Sequence, residues 1–182
     1  TIGGTIIEVI NGDDRLVFDF GCVFDPSKTK DELPKVSGIM EDTDNFNNAV
    51  IISHNHLDHI KALNLVDENI PIYMHADSVK LLSSLKSIGW KEVLGKWRKY
   101  SSIKLNEKIK INSFDVTALE VDHDVVGAVS YLIQTEDVNI LYTGDLRLHG
   151  KNGEKTHKMI HSISGVKIDL LIIEGVSISF IN

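Results

Sequence analysis

Six consecutive positions constrain this chain more than any other feature. His54-Asn55-His56-Leu57-Asp58-His59 sets three imidazoles and a carboxylate directly behind 49–53, which reads as a buried strand. Imidazole is a good ligand for Zn2+ and similar ions, at ~2.0–2.1 Å per Zn–N bond. In an extended stretch, residues i and i+2 point the same way, so His54 and His56 can grip one ion together. A turn into a helix at His59 lets Asp58 and His59 face a second ion beside the first. Four metal-competent side chains in six positions are hard to explain as surface packing, so the segment is expected to be a metal loop fed by a buried strand.

Two later segments extend the pattern. Asp122-His123 closes a strand-like run, and His123 is placed to be a third imidazole on the first ion. Thr143-Gly144-Asp145 follows the apolar run 138–142, which puts a carboxylate at a strand end behind a glycine that allows close approach. Asp145 can bridge two ions. Taken singly, His123 is an ordinary loop histidine and Asp145 an ordinary turn aspartate; their order behind the first motif favours metal. For the other candidates the plain structural explanation is preferred. His75, at a strand end, is expected to be a partnered structural histidine, and Cys22 a small buried residue. His157 and His161 stand i,i+4 on a helix without an evident third ligand, and are expected to be solvated.

Periodicity sets the frame for these motifs. Residues 5–10 and 15–20 are β-rich and joined by Asn11-Gly12-Asp13-Asp14, a hairpin signal. Residues 49–53 and 70–74 form further strands, and 76–88 carries helical apolar spacing at Val79, Leu82 and Leu85. The second half supplies strands at 109–111, 114–121, 128–134 and 138–142, a helix at 154–163 and a final buried strand at 168–173. Strands and helices thus alternate within two successive halves. The class is α/β, compatible with a two-sheet sandwich with outer helices but not separated by this pattern from other α/β folds. At 182 residues the chain can bury a sizeable core as one domain.

Composition narrows the partners. Lys+Arg 19 against Asp+Glu 26 gives a formal charge of −7. That argues mildly against nucleic acid, because phosphate contacts draw on a basic face. Aspartates that hold metal would be neutralised by it, which softens the objection. The stretch 91–104 (KEVLGKWRKYSSIK) is a local basic exception, read as a solvated helix end and loop. The longest apolar runs, such as 49–52 and 170–173, fall far short of the ~18 residues of a membrane span, and no membrane partner is expected. The opening Thr1-Ile2-Gly3-Gly4 has neither a basic n-region nor an apolar h-region, so no secretory signal is expected. The single cysteine excludes an internal disulfide and fits a reducing compartment, which gives a cytoplasmic expectation.

The segment HNHLDH resembles the HxHxDH signature of the metallo-β-lactamase superfamily, and His123 and Asp145 match that family's next two metal motifs in order. Asp19, in LVFDFG, matches its early aspartate, which supports the metal loop through hydrogen bonds rather than by binding metal. The resemblance covers about residues 5–174. It implies an αββα sandwich of two mixed β-sheets with outer helices. It also implies two divalent ions, Zn2+ first with Mn2+ or Fe2+ as alternatives. His54, His56 and His123 would hold one, Asp58 and His59 would belong to the second, and Asp145 would bridge. The stretches IGG, LVFDFG, SHNHLDHI, DHDVVGAVSYLI, TGDLRLHG and LLIIEG together are similar to the ribonuclease J and β-CASP branch of nucleic-acid-processing enzymes. In that branch a strand ending in Asp or Glu follows the bridging aspartate, and Glu174 occupies the corresponding place as a catalytic candidate.

That family also supplies a last metal histidine downstream. This sequence ends at Asn182, eight residues after Glu174, and His149, His157 and His161 lie too soon after Asp145 to match. The expectation is therefore a metallo-β-lactamase-fold domain over 1–182, lacking the β-CASP domain and the last metal ligand. The resemblance implies metal-assisted hydrolysis, in which an ion lowers a water's pKa from ~15.7 to about 7. Asp58 would orient that hydroxide nucleophile or shuttle its proton. The leading function is an RNA phosphodiesterase with single-stranded RNA as partner. A hydrolase of small esters, thioesters or lactones, and a non-catalytic metal-binding domain, are the alternatives. Homo-oligomerisation is left open.

Overall fold

Strands that are apolar at nearly every position belong in sheets covered on both faces. The computed structural model, which describes residues 4–22, 35–41, 44–89 and 98–174, has that construction. β1 (Ile7–Asn11), β2 (Asp14–Phe18), β3 (Asn47–Ile52), β4 (Ile72–His75) and β5 (Ser101–Ile103) form one sheet in that order. Its first pair is antiparallel and the others are parallel. β6 (Lys108–Ile111), β7 (Phe114–Glu120), β8 (Val129–Gln134), β9 (Asn139–Tyr142) and β10 (Leu170–Ile172) form the second, antiparallel except for β9 with β10.

The period of two assigns each face. Leu16, Phe18, Ala49 and Ile51 point from the first sheet into a shared core with Phe114, Val116, Tyr131 and Ile133 of the second. Val17, Val50 and Ile52, one residue out of step, face Ile60 of α1 (Leu57–Ile60) and Leu82 of α2 (Ala76–Ser87). Leu119, Leu132 and Leu141 face Met159 of α3 (Gly153–Ser162) on the far side. The result is four layers, helix–sheet–sheet–helix: two mixed β-sheets with outer helices, as expected.

Several local expectations are refined. The hairpin forms, with Asn11 paired to Asp14 at its end. α1 starts at Leu57 rather than His59, because His56 already stands extended as its N-cap. Ser101–Ile103 is an edge strand, not a loop; its two serines hide the pattern, and only Ile103 is buried in the core. Residues 91–97 of the basic stretch lie outside the described residues, as do Ile2 and Gly3 of the opening IGG. Arg98 is structural rather than solvated. It donates to the carbonyls of Val66 and Asp67 at 2.9 and 3.0 Å, and also to that of Ile70. The last strand differs most. Leu170 and Leu171 on β10 and Ile173 just beyond it are about half exposed, because β10 is the sheet's edge. No described helix is long and apolar enough to cross a membrane.

Candidate metal centre

The metal loop is the continuation of β3. After Ile52 the chain stays extended through His56, which brings His54 Nε2 to 3.1 Å from His56 Nδ1. It then closes one helical turn, with the N–H groups of His59 and Ile60 donating to the His56 carbonyl. Burial of Ile60 in the core fixes that turn's rotation and leaves Asp58 and His59 beside the two earlier histidines. The loop is pinned from below. The Thr5 N–H donates to the Asp58 carbonyl at 3.0 Å, and the Phe20 N–H to the His59 carbonyl at 2.7 Å. Gly21 passes so close that a Cβ there would lie 1.6 Å from the Asp58 oxygen.

Asp19 is the hub of this support. It leaves β2 in the left-handed region, φ 57°, a conformation that costs a non-glycine residue of order 1 kcal/mol or more. In return its carboxylate is fully buried and surrounded by donors. Oδ1 accepts from the Ser53 N–H at 2.7 Å. Oδ2 accepts from the Ser53 hydroxyl at 2.8 Å and the Tyr142 hydroxyl, and stands 2.7 Å from His59 Nδ1. An imidazole held at Nδ1 by a carboxylate presents Nε2 in a fixed direction, the usual arrangement behind a metal-ligating histidine.

The second sheet supplies the remaining groups. His123 follows β7, and its Nε2 stands 3.1 Å from His56 Nδ1. Asp145 follows β9 after Gly144, which has φ 54° and leaves no room for a Cβ against Ser53. The two Asp145 oxygens face different ways. Oδ2 lies 3.8 and 3.7 Å from His54 and His123 Nε2, while Oδ1 lies 3.3 Å from His59 Nε2. Two ligand groups result: His54, His56, His123 and Asp145; and Asp58, His59 and Asp145. Tetrahedral coordination with ~2.0–2.1 Å arms sets neighbouring ligand atoms roughly 3.3–3.4 Å apart. The spacings of the first group fit that ion; the second offers three ligands.

Charge is arranged to match. Burial holds the His54 ring well below the ordinary histidine range, reinforced by the neighbouring imidazoles, so it stays neutral. Burial lowers His123 as well, against the raising pull of Asp124 and Asp145. Burial also opposes a charge on His59, but its pairing with Asp145 and Asp19 outweighs that and raises it to about 10. Asp145 is held below the usual carboxylate range: burial pushes it up, and His59 with the other rings pushes it down further. Glu174 lies just past β10. Burial raises its carboxyl, aided by the charges of Asp145 and Asp58, while Oε1 accepts the Leu146 N–H at 3.0 Å.

All six proposed metal residues therefore meet at one place, with Asp19 behind them and Glu174 at the margin. Some contributors escaped sequence reasoning. Asp124 Oδ1 lies 3.3 Å from both His56 and His123 Nε2; its place directly after His123 was an available signal. Asp122, Arg147 and Thr156 stitch the two ligand loops together. Thr156 Oγ1 accepts from the Asp122 N–H and donates to the Arg147 carbonyl, while the Arg147 N–H donates to the Asp122 carbonyl and its Nε to Asp122 Oδ2. Nothing in the spacing pointed to that set. Cys22 is buried, as expected, and His157 and His161 are exposed and join no ligand group among the described residues. His75 is buried but, against expectation, its Nδ1 has no hydrogen-bond partner among the described residues.

Comparison with known proteins gives a consistent result. The family described as Beta-lactamase superfamily domain matches residues 22–177. An RNase aCSPSF2 of Saccharolobus solfataricus is 28% identical over 166 residues, covering 81% of this chain and 31% of that protein. A ribonuclease J of Sinorhizobium meliloti is 28% identical over 121 residues, covering 64% of this chain and 20% of its own length. The chain thus spans a third or less of these curated relatives. A crystal structure of an Enterococcus faecalis V583 protein of unknown function superposes with TM-score 0.88 at 33% identity, over 100% of this chain and 49% of that one.

Proposed function

The chain belongs to the beta-lactamase superfamily of metal-dependent hydrolases, and from that premise we propose that it is a phosphodiesterase acting on RNA through two divalent ions, Zn2+ first. The observation that carries the dinuclear reading is Asp145, whose two oxygens address two ligand groups at once. His54, His56 and His123 would hold one ion, Asp58 and His59 the other, and Asp145 both. Support for RNA comes from the curated relatives, which are named ribonucleases.

When bound, such a pair of ions acidifies water and offsets charge on a phosphoryl group. The chain's own residues do the rest. Asp58, with a third of its side chain exposed, is placed to orient the attacking water and accept its proton. Asp19 keeps the His59 ring in one tautomer with Nε2 turned outward. Glu174 receives the Leu146 N–H and so holds the backbone immediately after Asp145. Asp124 and the carboxylates of the centre repel a polyanion unless cations are present, so RNA binding is tied to metal loading.

The test pairs metal content with turnover. Zinc-loaded protein, His56→Ala and Asp58→Asn are measured by elemental analysis and offered labelled single-stranded RNA and a small thioester. The expected result is near two equivalents of metal, RNA cleavage, loss of both in His56→Ala, and folded but inactive Asp58→Asn. Thioester hydrolysis without RNA cleavage would move the protein to the small-molecule reading. Metal without either turnover would make it a binding domain.

A further inference from the structure

A neutral imidazole carries its proton on one nitrogen and, on the other, the lone pair that a metal needs. Each ligand histidine therefore needs a settled ring orientation as well as a place. His56 Nδ1 stands 3.1 Å from both His54 Nε2 and His123 Nε2. That convergence makes Nδ1 the ligand atom of His56. Its Nε2 is left to carry the hydrogen, on the side of the ring turned away from the ion. The other rings of the metal loop have such a nitrogen backed from within the protein. Asp19 stands behind His59 at 2.7 Å, and the Ser53 hydroxyl lies 3.0 Å from His54 Nδ1.

The group facing His56 Nε2 is Asp124, with Oδ1 at 3.3 Å. The same oxygen lies 3.3 Å from His123 Nε2. Once His123 gives that nitrogen to an ion, Asp124 serves His56 alone. The loop that carries Asp124 is set against the metal loop through α2. Asn55, between the first two histidines, donates through Nδ2 to the Ser78 carbonyl at 2.9 Å, and the Ser78 hydroxyl donates to the Gly127 carbonyl at 3.0 Å. A Cβ on Gly127 would lie 2.6 Å from Ser78 Oγ and 2.7 Å from Ser78 N, so the loop packs directly on that residue. On the metal reading of the centre, we infer that Asp124 is a positioning residue for the first ion. It accepts the Nε2–H of His56 and holds the ring so that Nδ1 faces His54 and His123. A carboxylate behind a ligand histidine is worth about 10–100-fold in metal affinity. With its side chain 61% exposed, Asp124 belongs at the low end of that range.

The probe is zinc alone, with no substrate and no turnover. Wild type, Asp124→Ala and Asp124→Asn are titrated with zinc against a chromogenic chelator, and their 15N-labelled histidine rings are followed by NMR with zinc bound. Asp124→Ala should bind zinc about tenfold more weakly. It should also lose the His56 Nε2–H signal to exchange with water, while the His59 ring N–H held by Asp19 stays. Asp124→Asn keeps an acceptor oxygen in the same place, so it should retain the signal and bind zinc with an affinity between the other two. Equal weakening in both variants would mean that only negative charge near the ions counts, and overturns the positioning role. A His56 Nε2–H signal that persists in Asp124→Ala overturns it whatever the affinity. Zinc uptake indifferent to both substitutions refutes the positioning role alone. Wild-type protein that takes up no zinc refutes the metal reading, and the role of Asp124 with it.

Discussion

Gly21→Ala is the substitution that most directly tests how the metal loop is held. The new Cβ would lie 1.6 Å from the Asp58 carbonyl oxygen, 2.2 Å from its carbon and 2.8 Å from the His59 nitrogen. All three are backbone atoms, so no side-chain rotation relieves the clash. Reaching even a 3.0 Å contact moves the Asp58 carbonyl by at least about 1.4 Å. That displacement breaks the 3.0 Å bond from the Thr5 N–H. Overpacking costs ~1–3 kcal/mol and the lost hydrogen bond about 1 more, so destabilisation of roughly 2–4 kcal/mol is expected. In a protein of this size that lowers Tm by roughly 5–15 °C. Because Asp58 and His59 ride on the displaced backbone, turnover should fall about a hundredfold, the scale of a ~1 Å misplacement. Gly165→Ala is the matched control, since nothing lies within 4 Å of its Cβ. Thermal melts and metal content of both variants decide. A Gly21→Ala protein that melts within ~2 °C of the control with full metal content would show that the close approach does not hold the loop.

Asp19→Asn keeps the shape but turns part of a buried acceptor hub into a donor facing the Ser53, Tyr142 and His59 donors. Metal affinity should fall about 10–100-fold, the usual effect of losing a supporting carboxylate, as read by competition with a chromogenic chelator. In protein stripped by chelation, the folded pKa of His59, about 10, exceeds its ordinary 6.5. The stabilisation from its ion pairs is therefore complete below pH 6.5 and disappears as pH rises through about 10. Melts between pH 6 and 10 should show the stripped protein losing Tm over that window; a flat profile would remove His59 from the account. Leu171→Lys places a charge on the apolar edge of β10, and should reduce light scattering at high concentration while stability changes by no more than about 0.5 kcal/mol.

What the sequence made legible follows from the range of each interaction. The metal loop was visible because His54, His56, Asp58 and His59 are neighbours, and β3 because its apolar run needs cover on both faces. Asp145 was visible because it ends such a run behind a glycine. β5 was not, since Ser101 and Ser102 carry no apolar signal and their strand is defined by pairing with β4. The burial of the last strand was overestimated because apolar residues alone do not say whether a strand is central or at an edge. The hydroxyl of Tyr142 on Asp19, 123 positions away, and the Thr156 stitch between two loops, are tertiary contacts with no local trace.

The proposed ligands do not come from one layer. His54, His56 and His59 follow a strand of the first sheet, whereas His123 and Asp145 follow strands of the second. On the proposed ligand set, ions bound between them would act as removable rivets through the sandwich. Metal that prefers the folded form would, at a thousandfold excess over Kd, add about 4 kcal/mol to folding. Metal supply would then govern how long the fold persists as well as any turnover.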